Sequence, residues 1–229
     1  MKQAISLSGL TVSYSGQEAV NDINISVQKG EFLGLIGPNG GGKTTVLSSV
    51  LGLTEKNSGE IRIFGKKIKD GRHLIGYVPQ TSAVDRDFPI TVIETVLSAF
   101  LGSGLHPIKR FSRTEKEKAY KTLEILGLLE MKDKPIKELS GGEFQKLLIA
   151  RALVSDPDIL LLDEPVSNID ESSRNEIYNI LKELNSLDKT IIMVTHDMQS
   201  LSSLFSRLIY INRTVLFDGS PSDYLKEVI

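Results

Sequence analysis

Cysteine is absent from the sequence of 229 residues. This absence excludes disulfide bonds, thiolate metal sites and a cysteine nucleophile, and it is compatible with a reducing compartment. Histidine is scarce and scattered, at His73, His106 and His196, so no zinc-type cluster is visible. The formal net charge of −2 gives no global basic field, and we therefore expect no nucleic-acid partner.

The sequence also lacks any apolar run near the ~18 residues that a membrane-spanning helix needs. Its first residues lack the apolar core of a secretory signal. The hydrophobic content of 40% and the charged content of 24% are typical of a globular protein. The length suits one large α/β domain, or one domain with a subdomain. We therefore expect a soluble, cytoplasmic chain with a buried core.

Periodicity divides the chain into three stretches. Residues 1–80 alternate apolar and polar side chains, which predicts β-strands, with one helix after the short apolar run EFLGLIG. Residues 81–155 have helical spacing of apolar residues, with the loop LGSGLHPIKRFS between helices. Residues 156–229 contain a strand, a helix and a strand in succession, which favours parallel pairing. The sequence therefore predicts one α/β core, 1–80 and 156–229, interrupted by a helical insertion, 81–155.

Two local predictions concern single segments of the β regions. The segment GEIRIFGKKI, Gly59–Ile68, has the pattern of one strand. The segment RLIYINRTVLFDG, Arg207–Gly219, has the pattern of a hairpin that turns at Asn212 and Arg213.

The glycine-rich stretch GPNGGGKTT lies between a predicted strand and a predicted helix. It satisfies the pattern G-x-x-x-x-G-K-[ST] of phosphate-binding loops. Glycines allow backbone N–H groups to surround phosphates without Cβ clashes, and the helix N-terminus adds partial positive charge. Lys43 can reach the β- and γ-phosphates, and the Thr44 hydroxyl can ligate Mg²⁺. The predicted nucleotide-binding residues here are Gly37, Pro38, Asn39, Gly40, Gly41, Gly42, Lys43, Thr44 and Thr45.

Acidic residues end the apolar strand ILLLDEP. By themselves Asp163 and Glu164 are compatible with an ordinary solvated strand end. The carboxyl edge of a parallel sheet is, however, where such sheets bind ligands, and a phosphate loop lies upstream. We therefore predict that Asp163 is a Mg²⁺ ligand and that Glu164 is the general base for an attacking water.

Two further residues have alternative interpretations when they are considered alone. His196, in VTHD, follows an apolar strand, where it is either structural or a contact of a γ-phosphate or an attacking water. Tyr14, in VSYSG, is either a packed strand-edge tyrosine or an aromatic ring that stacks on adenine.

A second glycine-opened helix start occurs in ELSGGEFQKLLIARAL, Glu138–Leu153. Such a start presents free N–H groups and partial positive charge to an anion. The chain therefore contains two anion cradles that are far apart in sequence.

Five motifs in order, GPNGGGKTT, YVPQ, LSGGEFQKLLIARAL, ILLLDEP and VTHD, resemble those of the ATP-binding subunit of ATP-binding cassette (ABC) transporters. The resemblance covers essentially the whole chain, and LSGG beside a P-loop is its most diagnostic part. It implies a P-loop NTPase core with an antiparallel β subdomain and an inserted α-helical subdomain. It also implies ATP and Mg²⁺ as ligands, and ATP hydrolysis coupled to transport.

The resemblance assigns roles to individual residues at matching positions. Asp163 is implied to bind Mg²⁺ and Glu164 to be the catalytic base. His196 resembles the switch histidine of the family, and Tyr14 its adenine-stacking aromatic residue. Gln80, in YVPQ, resembles the glutamine that reaches Mg²⁺ and the attacking water and senses the membrane partner.

The resemblance also explains the second anion cradle. In the family, residues equivalent to Ser140, Gly141 and Gly142 complete the ATP site of a second copy, so that two ATP molecules are held in a head-to-tail dimer. Asp170, in SNID, matches an aspartate that crosses the dimer interface.

Three departures from the family pattern are visible. Glu143 stands where many members have Gln, SNID replaces the commoner S-A-L-D, and Gly41 stands where Ser or Ala is usual. Because the phosphate contacts come from backbone groups and from Ser140, we expect no loss of nucleotide binding. Glu164 is present, which argues against a copy that does not hydrolyse ATP.

The segment IGYVPQTSAVDRDFPITVIETV resembles the same region of ATPases that serve zinc and manganese uptake systems. The resemblance implies a peripheral protein on the cytoplasmic face of the membrane, bound to an integral membrane permease and served by a substrate-binding protein. Asp85, Asp87, Phe88 and Pro89 are candidate permease contacts, or else they only shape a loop and a helix cap. The alternatives are a soluble ABC ATPase of DNA repair, translation or cofactor assembly, and the ATPase of an exporter.

Overall fold

The computed structural model describes residues 2–80, 84–101, 110–197 and 201–228. The first residues of the predicted helical insertion, 81–83, lie outside the described residues, as do 102–109 in its predicted loop, including His106. Within the described ranges, no helix combines the length and the apolar composition that crossing a bilayer requires.

The regular elements follow one another in a mixed α/β order. The strands are β1 (Gln3–Tyr14), β2 (Gln17–Gln28), β3 (Phe32–Ile36), β4 (Ser58–Ile63), β5 (Lys66–Lys67), β6 (Ile75–Val78), β7 (Ile159–Asp163), β8 (Thr190–Val194), β9 (Arg207–Asn212) and β10 (Thr214–Gly219). The α-helices are α1 (Lys43–Leu51), α2 (Ile68–Gly71), α3 (Val92–Leu97), α4 (Arg113–Ile125), α5 (Gly141–Leu153), α6 (Glu171–Ser186), α7 (Leu201–Leu204) and α8 (Pro221–Val228). Short 3₁₀ helices span Arg72–Leu74, Ser98–Phe100, Leu129–Met131 and Ile136–Glu138.

The first sheet is antiparallel and has the strand order β2-β1-β4-β5. Its strands alternate buried and exposed side chains, because one face packs on the core and the other meets solvent. The register of β1 on β4 pairs Ile5 with Ile63 and Leu7 with Ile61, and all four side chains are buried. The hydrophobic face thus fixes the pairing of the strands.

The second sheet has six strands in the order β10-β9-β3-β8-β7-β6, with parallel pairing from β9 to β6. Every residue of β3, β7 and β8 is buried. Leu161 contributes to the cluster formed with the first sheet and α1, whereas Leu160 and Leu162 contribute to the cluster formed with α3 to α6. Apart from Thr190 at the start of β8 and Asp163 at the end of β7, the central strands contain only apolar residues and glycine, because both faces of the sheet are covered.

Helices α3, α4 and α5 lie between β6 and β7 in the chain, and their N-termini are capped by side chains. Thr91 and Glu94 form a capping box at α3, and Ser112 and Glu115 form one at α4. In a capping box the side chains satisfy N–H groups that have no partner within the helix. The polar sequence before each helix therefore fixes where the helix begins.

The expected α/β fold, with an antiparallel sheet beside a mainly parallel one, is confirmed. The hairpin at Asn212 and Arg213 is also confirmed. The prediction of one strand over Gly59–Ile68 is wrong. Phe64 and Gly65 have positive φ, so the chain turns back there into β5 and then begins α2. The sequence analysis did not predict helix α8.

Arg207 joins the two sheets near the edge of the molecule. Its guanidinium donates to both carboxylate oxygens of Asp218 at 2.5 and 2.6 Å, to the Ser26 carbonyl at 2.8 Å and to Glu31 at 3.2 Å. Strands β9 and β10 are thus tied to the end of β2. Paired with Asp218 and Glu31, the guanidinium has a pKa raised further above its ordinary value, so it stays charged.

We expect Arg207→Ala to lower the free energy of unfolding by about 1–3 kcal/mol, because Glu31 and Asp218 lose a shared, partly buried partner. Urea denaturation followed by circular dichroism measures the effect. The matched control is Arg113→Ala, which removes a surface pair with Glu117 and should cost about 0.5 kcal/mol or less. Equal losses in the two variants would contradict the role given to Arg207.

Candidate functional site

The site lies where the parallel strands of the second sheet end. The phosphate loop follows β3, Asp163 is the last residue of β7 and Glu164 comes next. His196 lies two residues beyond β8, and Gln80 lies two residues beyond β6. Because carboxyl ends of parallel strands meet at one edge, residues from four separate parts of the chain come together there.

The phosphate loop, Gly37–Thr45, has the backbone of an anion cradle. Gly37, Gly40 and Gly42 have φ values of 144°, 76° and 97°, which L side chains rarely adopt. The Lys43 ammonium donates to the carbonyls of Gly37 and Pro38 at 2.9 Å each, so it lies within the loop. Burial lowers the pKa of Lys43, and the nearby carboxylates partly oppose that effect. The loop therefore fits a triphosphate, whose negative charge would offset the burial of Lys43.

Thr44 and Asp163 form a pair of oxygen donors beside the loop. The Thr44 hydroxyl donates to the Asp163 carboxylate at 3.3 Å, and Asp163 is only 4% exposed. Burial raises the pKa of Asp163, and the Thr44 hydroxyl and Lys43 partly reverse that shift. Hydroxyl and carboxylate oxygens are the ligands that Mg²⁺ prefers. The donor set therefore fits the expected metal ion.

Glu164 is held between two of the predicted catalytic residues. One carboxylate oxygen accepts from the Gln80 amide at 3.1 Å, and the other lies 3.0 Å from Nε2 of His196. The Glu164 backbone is left-handed, with φ of 50°, and its N–H donates to the Val194 carbonyl of β8 at 3.1 Å. Neighbouring structure thus fixes both the backbone and the side chain of this carboxylate.

A cleft of about 480 Å³ opens over these groups. Tyr14 lies at the cleft with half of its surface exposed, and its hydroxyl is 3.2 Å from that of Thr54. The ring is therefore open to a planar ligand. The described residues that line the cleft are Tyr14, Ala19, Asn39, Gly40, Gly41, Gly42, Lys43, Thr44, Thr45, Gln80 and Glu164.

A second cleft, of about 570 Å³, lies on the His196 side of Glu164 and includes residues that the sequence analysis did not single out. Arg174, in the first turn of α6, lines it with a buried Nε that has no hydrogen-bond partner in the described structure. Asp197 also lines it and accepts from the Tyr178 hydroxyl at 2.7 Å. The sequence signal for these residues was their position: Asp197 follows β8 closely, and Arg174 lies near the start of α6.

The second predicted anion cradle is the start of α5. Ser140 caps the helix: its hydroxyl accepts from the Glu143 N–H at 3.3 Å, and the Glu143 carboxylate accepts from the Ser140 N–H at 2.7 Å. This contact with the Ser140 N–H lowers the pKa of Glu143. Neither Ser140, Gly141 nor Gly142 is among the described residues that line the two clefts. The structure therefore does not place this cradle with the phosphate loop of the same chain.

Asp170 has a local role that the sequence analysis did not foresee. Its carboxylate caps α6 by accepting from the Ser173 N–H at 2.9 Å, and this bond lowers the pKa of Asp170. A Cβ at Gly142 would lie 2.3 Å from Oγ of Ser173, whereas one at Gly141 would lie 3.5 Å from its nearest neighbour, in Ile169. The starts of α5 and α6 are therefore packed directly on each other at Gly142.

Comparison with protein families gives a match to the ABC transporter model over residues 20–167. The chain is 38% identical over 217 residues to the zinc transport system ATP-binding protein TroB of Treponema pallidum, covering 95% of this chain and 81% of that protein. It is 37% identical over 225 residues to the manganese transport system ATP-binding protein MntB of Bacillus subtilis, covering 97% and 89%.

Solved structures give the same result for the fold. The ADP conformation of an ATP-binding cassette of an ABC transporter matches with a TM-score of 0.88 and 25% identity, covering 100% of this chain and 95% of that one. A dimeric post-hydrolysis state of an ATP-binding cassette bound to ADP and Pi matches with a TM-score of 0.81 and 28% identity, covering 95% and 98%.

We expect Gly142→Ala to lower the free energy of unfolding by about 1–3 kcal/mol, because the added Cβ overlaps the Ser173 side chain and pushes α5 away from α6. Gly141→Ala is the matched control and should leave stability unchanged or slightly raised, since Ala favours a helix and the added Cβ would make only ordinary van der Waals contacts. Adding Ser173→Gly to Gly142→Ala should restore stability. Thermal and urea unfolding of the three variants test this, and an equal response of the two alanine variants would refute it.

Proposed function

The chain belongs to the ABC transporter family, and we propose that it powers a membrane importer of zinc- or manganese-type metal ions. It is an ATPase with the fold of an ATP-binding cassette. The observation that carries ATP hydrolysis is the arrangement of Glu164 between Gln80 and His196, beside Lys43 and the pair formed by Thr44 and Asp163. The importer role is proposed from the relatives.

ATP is assigned to the cleft over the phosphate loop. Backbone N–H groups of Gly40 and Gly42 and the ammonium of Lys43 are available for the phosphates, and the exposed ring of Tyr14 for adenine. Asn39 and Thr45 belong to the same lining. Thr44, Asp163 and Gln80 are the proposed ligands of Mg²⁺, which when bound neutralises charge on the β- and γ-phosphates.

Glu164 is proposed as the general base that takes a proton from the attacking water. Gln80 and His196 hold its two oxygens at hydrogen-bond distance, so the carboxylate has a fixed orientation before the substrate arrives. Such preorganisation lowers the cost of reaching the transition state. His196 has 44% of its side chain exposed, which leaves its ring accessible to a γ-phosphate.

A second copy of the chain is proposed to complete each site. ABC ATPases work as dimers, and the matched dimeric cassette with ADP and Pi is one. In this chain the N-terminus of α5, with Ser140, Gly141 and Gly142, lines neither cleft. The capping box occupies the N–H groups of Ser140 and Glu143, so those of Gly141 and Gly142 are the ones proposed to contact a partner's nucleotide. Asp170, at the capped start of α6 beside it, is proposed to lie in the same interface.

The permease is proposed to dock on an apolar groove of about 280 Å³ on the cytoplasmic side of the membrane. Phe88 is 58% exposed at this groove, and Asp85 and Ile90 lie beside it. Asp85 accepts from the Asp87 N–H at 2.9 Å, which shapes the loop before Pro89. An exposed aromatic ring over an apolar groove suits a short amphipathic helix of a membrane partner.

The metal cargo is proposed from the names of the relatives, which are subunits of zinc and manganese transport systems. A substrate-binding protein that delivers the ion to the permease completes the proposed system. The chain supplies energy and does not need to bind the ion, so its own cysteine-free composition is compatible with this role.

We expect Glu164→Gln to bind Mg·ATP, to lose turnover by at least about a hundredfold and to accumulate as an ATP-dependent dimer, because an amide cannot accept the proton. Phosphate release and light scattering after gel filtration measure the two effects. Glu183→Gln, on the exposed side of α6, is the control and should turn over normally. Normal turnover in Glu164→Gln would overturn the assignment of the base.

The partner is tested in the native cell with tagged Glu164→Gln chain trapped by Mg·ATP. We expect a multi-span membrane protein to co-purify, and Phe88→Asp to reduce its recovery about tenfold or more, because a buried interfacial anchor becomes charged. Leu216→Asp, at an equally exposed apolar side chain on β10, is the control and should not reduce recovery.

The membrane protein identified in this way is then purified with the wild-type chain and placed in vesicles with its substrate-binding protein, and uptake of zinc and manganese is measured with and without ATP. ATP-dependent uptake of either ion is the expected result. Recovery of soluble partners or nucleic acid alone would instead indicate a soluble ABC ATPase, and transport out of the compartment that contains ATP would indicate an exporter.

A further inference from the structure

The phosphate loop packs between the β1–β2 hairpin of the first sheet and the β9–β10 hairpin of the second sheet. On one side, a Cβ at Gly42 would lie 2.3 Å from Cγ1 of Val20 and 2.7 Å from the Ala19 carbonyl oxygen, at the start of β2. On the other side, the Ile211 carbonyl oxygen would lie 2.0 Å from a Cβ at Gly37. The loop backbone thus has no room to move toward either hairpin.

Arg213, at the turn between β9 and β10, connects the loop to both sheets through its backbone. Its N–H donates to the Gly41 carbonyl at 2.9 Å, and its own carbonyl accepts from the Asn21 N–H of β2 at 2.7 Å. Its φ of 62° is unusual for a residue other than glycine, and its side chain is exposed. The turn therefore holds a left-handed conformation that presents this N–H to the loop.

The bond to the Gly41 carbonyl fixes the orientation of the peptide group that joins Gly41 to Gly42. In a trans peptide the C=O and the following N–H point in opposite directions. With the Gly41 carbonyl directed at Arg213, the Gly42 N–H is directed away from the hairpin. Gly41 and Gly42 both line the nucleotide cleft, so this N–H is one of the donors available to a phosphate.

The same contact accounts for a glycine at position 41. A Cβ there would lie 2.8 Å from the Ile211 carbonyl oxygen and 3.0 Å from that of Pro38. Both atoms are backbone and cannot rotate away. A larger residue would push the hairpin and the loop apart and weaken the bond from Arg213.

We propose that the β9–β10 turn is a positioning element of the nucleotide site, in which the Arg213 backbone N–H orients the loop peptide that binds the phosphates of a nucleoside triphosphate. This inference rests on the proposed function, since it concerns ATP held by the same loop. Arg213 is a positioning residue, and its side chain takes no part.

The test compares binding and hydrolysis of Mg·ATP by wild-type chain and Arg213→Pro, which deletes the N–H. The dissociation constant and KM for Mg·ATP should rise about tenfold, with a smaller change in kcat, because the loop is misplaced before the substrate binds. Arg213→Gly keeps the N–H and accepts the left-handed φ, so it should bind within about twofold of wild type.

Phe64→Pro controls for damage to a turn as such. Phe64 also has a positive φ, and its N–H donates to the Ala4 carbonyl at 2.8 Å, but it does not line the cleft. This variant should lower the melting temperature without changing the affinity for Mg·ATP. If Arg213→Pro does not fold, the α-hydroxy analogue of arginine is placed at position 213 by ligation. This ester analogue replaces the N–H by an oxygen atom and does not constrain φ.

Wild-type affinity in a folded Arg213→Pro or in the ester analogue would overturn the positioning role while leaving the proposed function intact. Loss of affinity in Arg213→Gly equal to that in Arg213→Pro would also overturn it, since the side chain would then be responsible. A wild-type chain that binds no Mg·ATP would overturn the proposed function and the inference with it.

Discussion

The parallel pairing of β3, β8, β7 and β6 is the constraint on which the rest of the site depends. It brings four chain segments that are remote in sequence to one edge, where the phosphate loop, Asp163, Glu164, His196 and Gln80 follow their strands. A shift of one strand by one residue would turn its buried side chains to the other face. The side chains of β3, β7 and β8 are buried, and the observed register pairs Leu35 of β3 and Asp163 of β7 with Val194 of β8. The pairing that builds the core therefore also aligns the residues of the candidate site.

Two charged side chains are buried at this edge, although burying a charge costs free energy. Lys43 and Asp163 are both about 5% exposed or less, and burial shifts the pKa of each toward its neutral form. Each offsets part of the other's shift. A triphosphate would place negative charge beside Lys43 and a divalent cation would place positive charge beside Asp163, so ligand binding would offset the cost of burying both groups. The site is stable enough to form and is still complementary to what it binds.

Sequence reasoning reached the fold class, the phosphate loop and the residues at the strand ends because these depend on local patterns. Spacing fixed the loop from Gly37 to Thr45, and apolar runs located the strands. It failed for Gly59–Ile68, where Phe64 and Gly65, both with positive φ, reverse the chain without any proline or Asn-Gly signal. It gave no indication that Ile211 and Arg213 hold Gly41. Those contacts join segments far apart in the chain, and no pattern within one sequence records which backbone atoms will meet.

The segment between Glu164 and α6 connects the two proposed nucleotide contacts within one chain. Glu164 is fixed by β8, and the six residues after it lead to Asp170, which caps α6. Ser173 in the first turn of α6 leaves no space for a Cβ at Gly142 of α5. Close-packed surfaces of this kind move together or separate, and they do not deform gradually. A displacement of the start of α5 therefore requires α6 and the loop behind Glu164 to follow. The helix proposed to contact a partner's nucleotide and the carboxylate proposed to hydrolyse the chain's own nucleotide thus belong to one continuous packed unit.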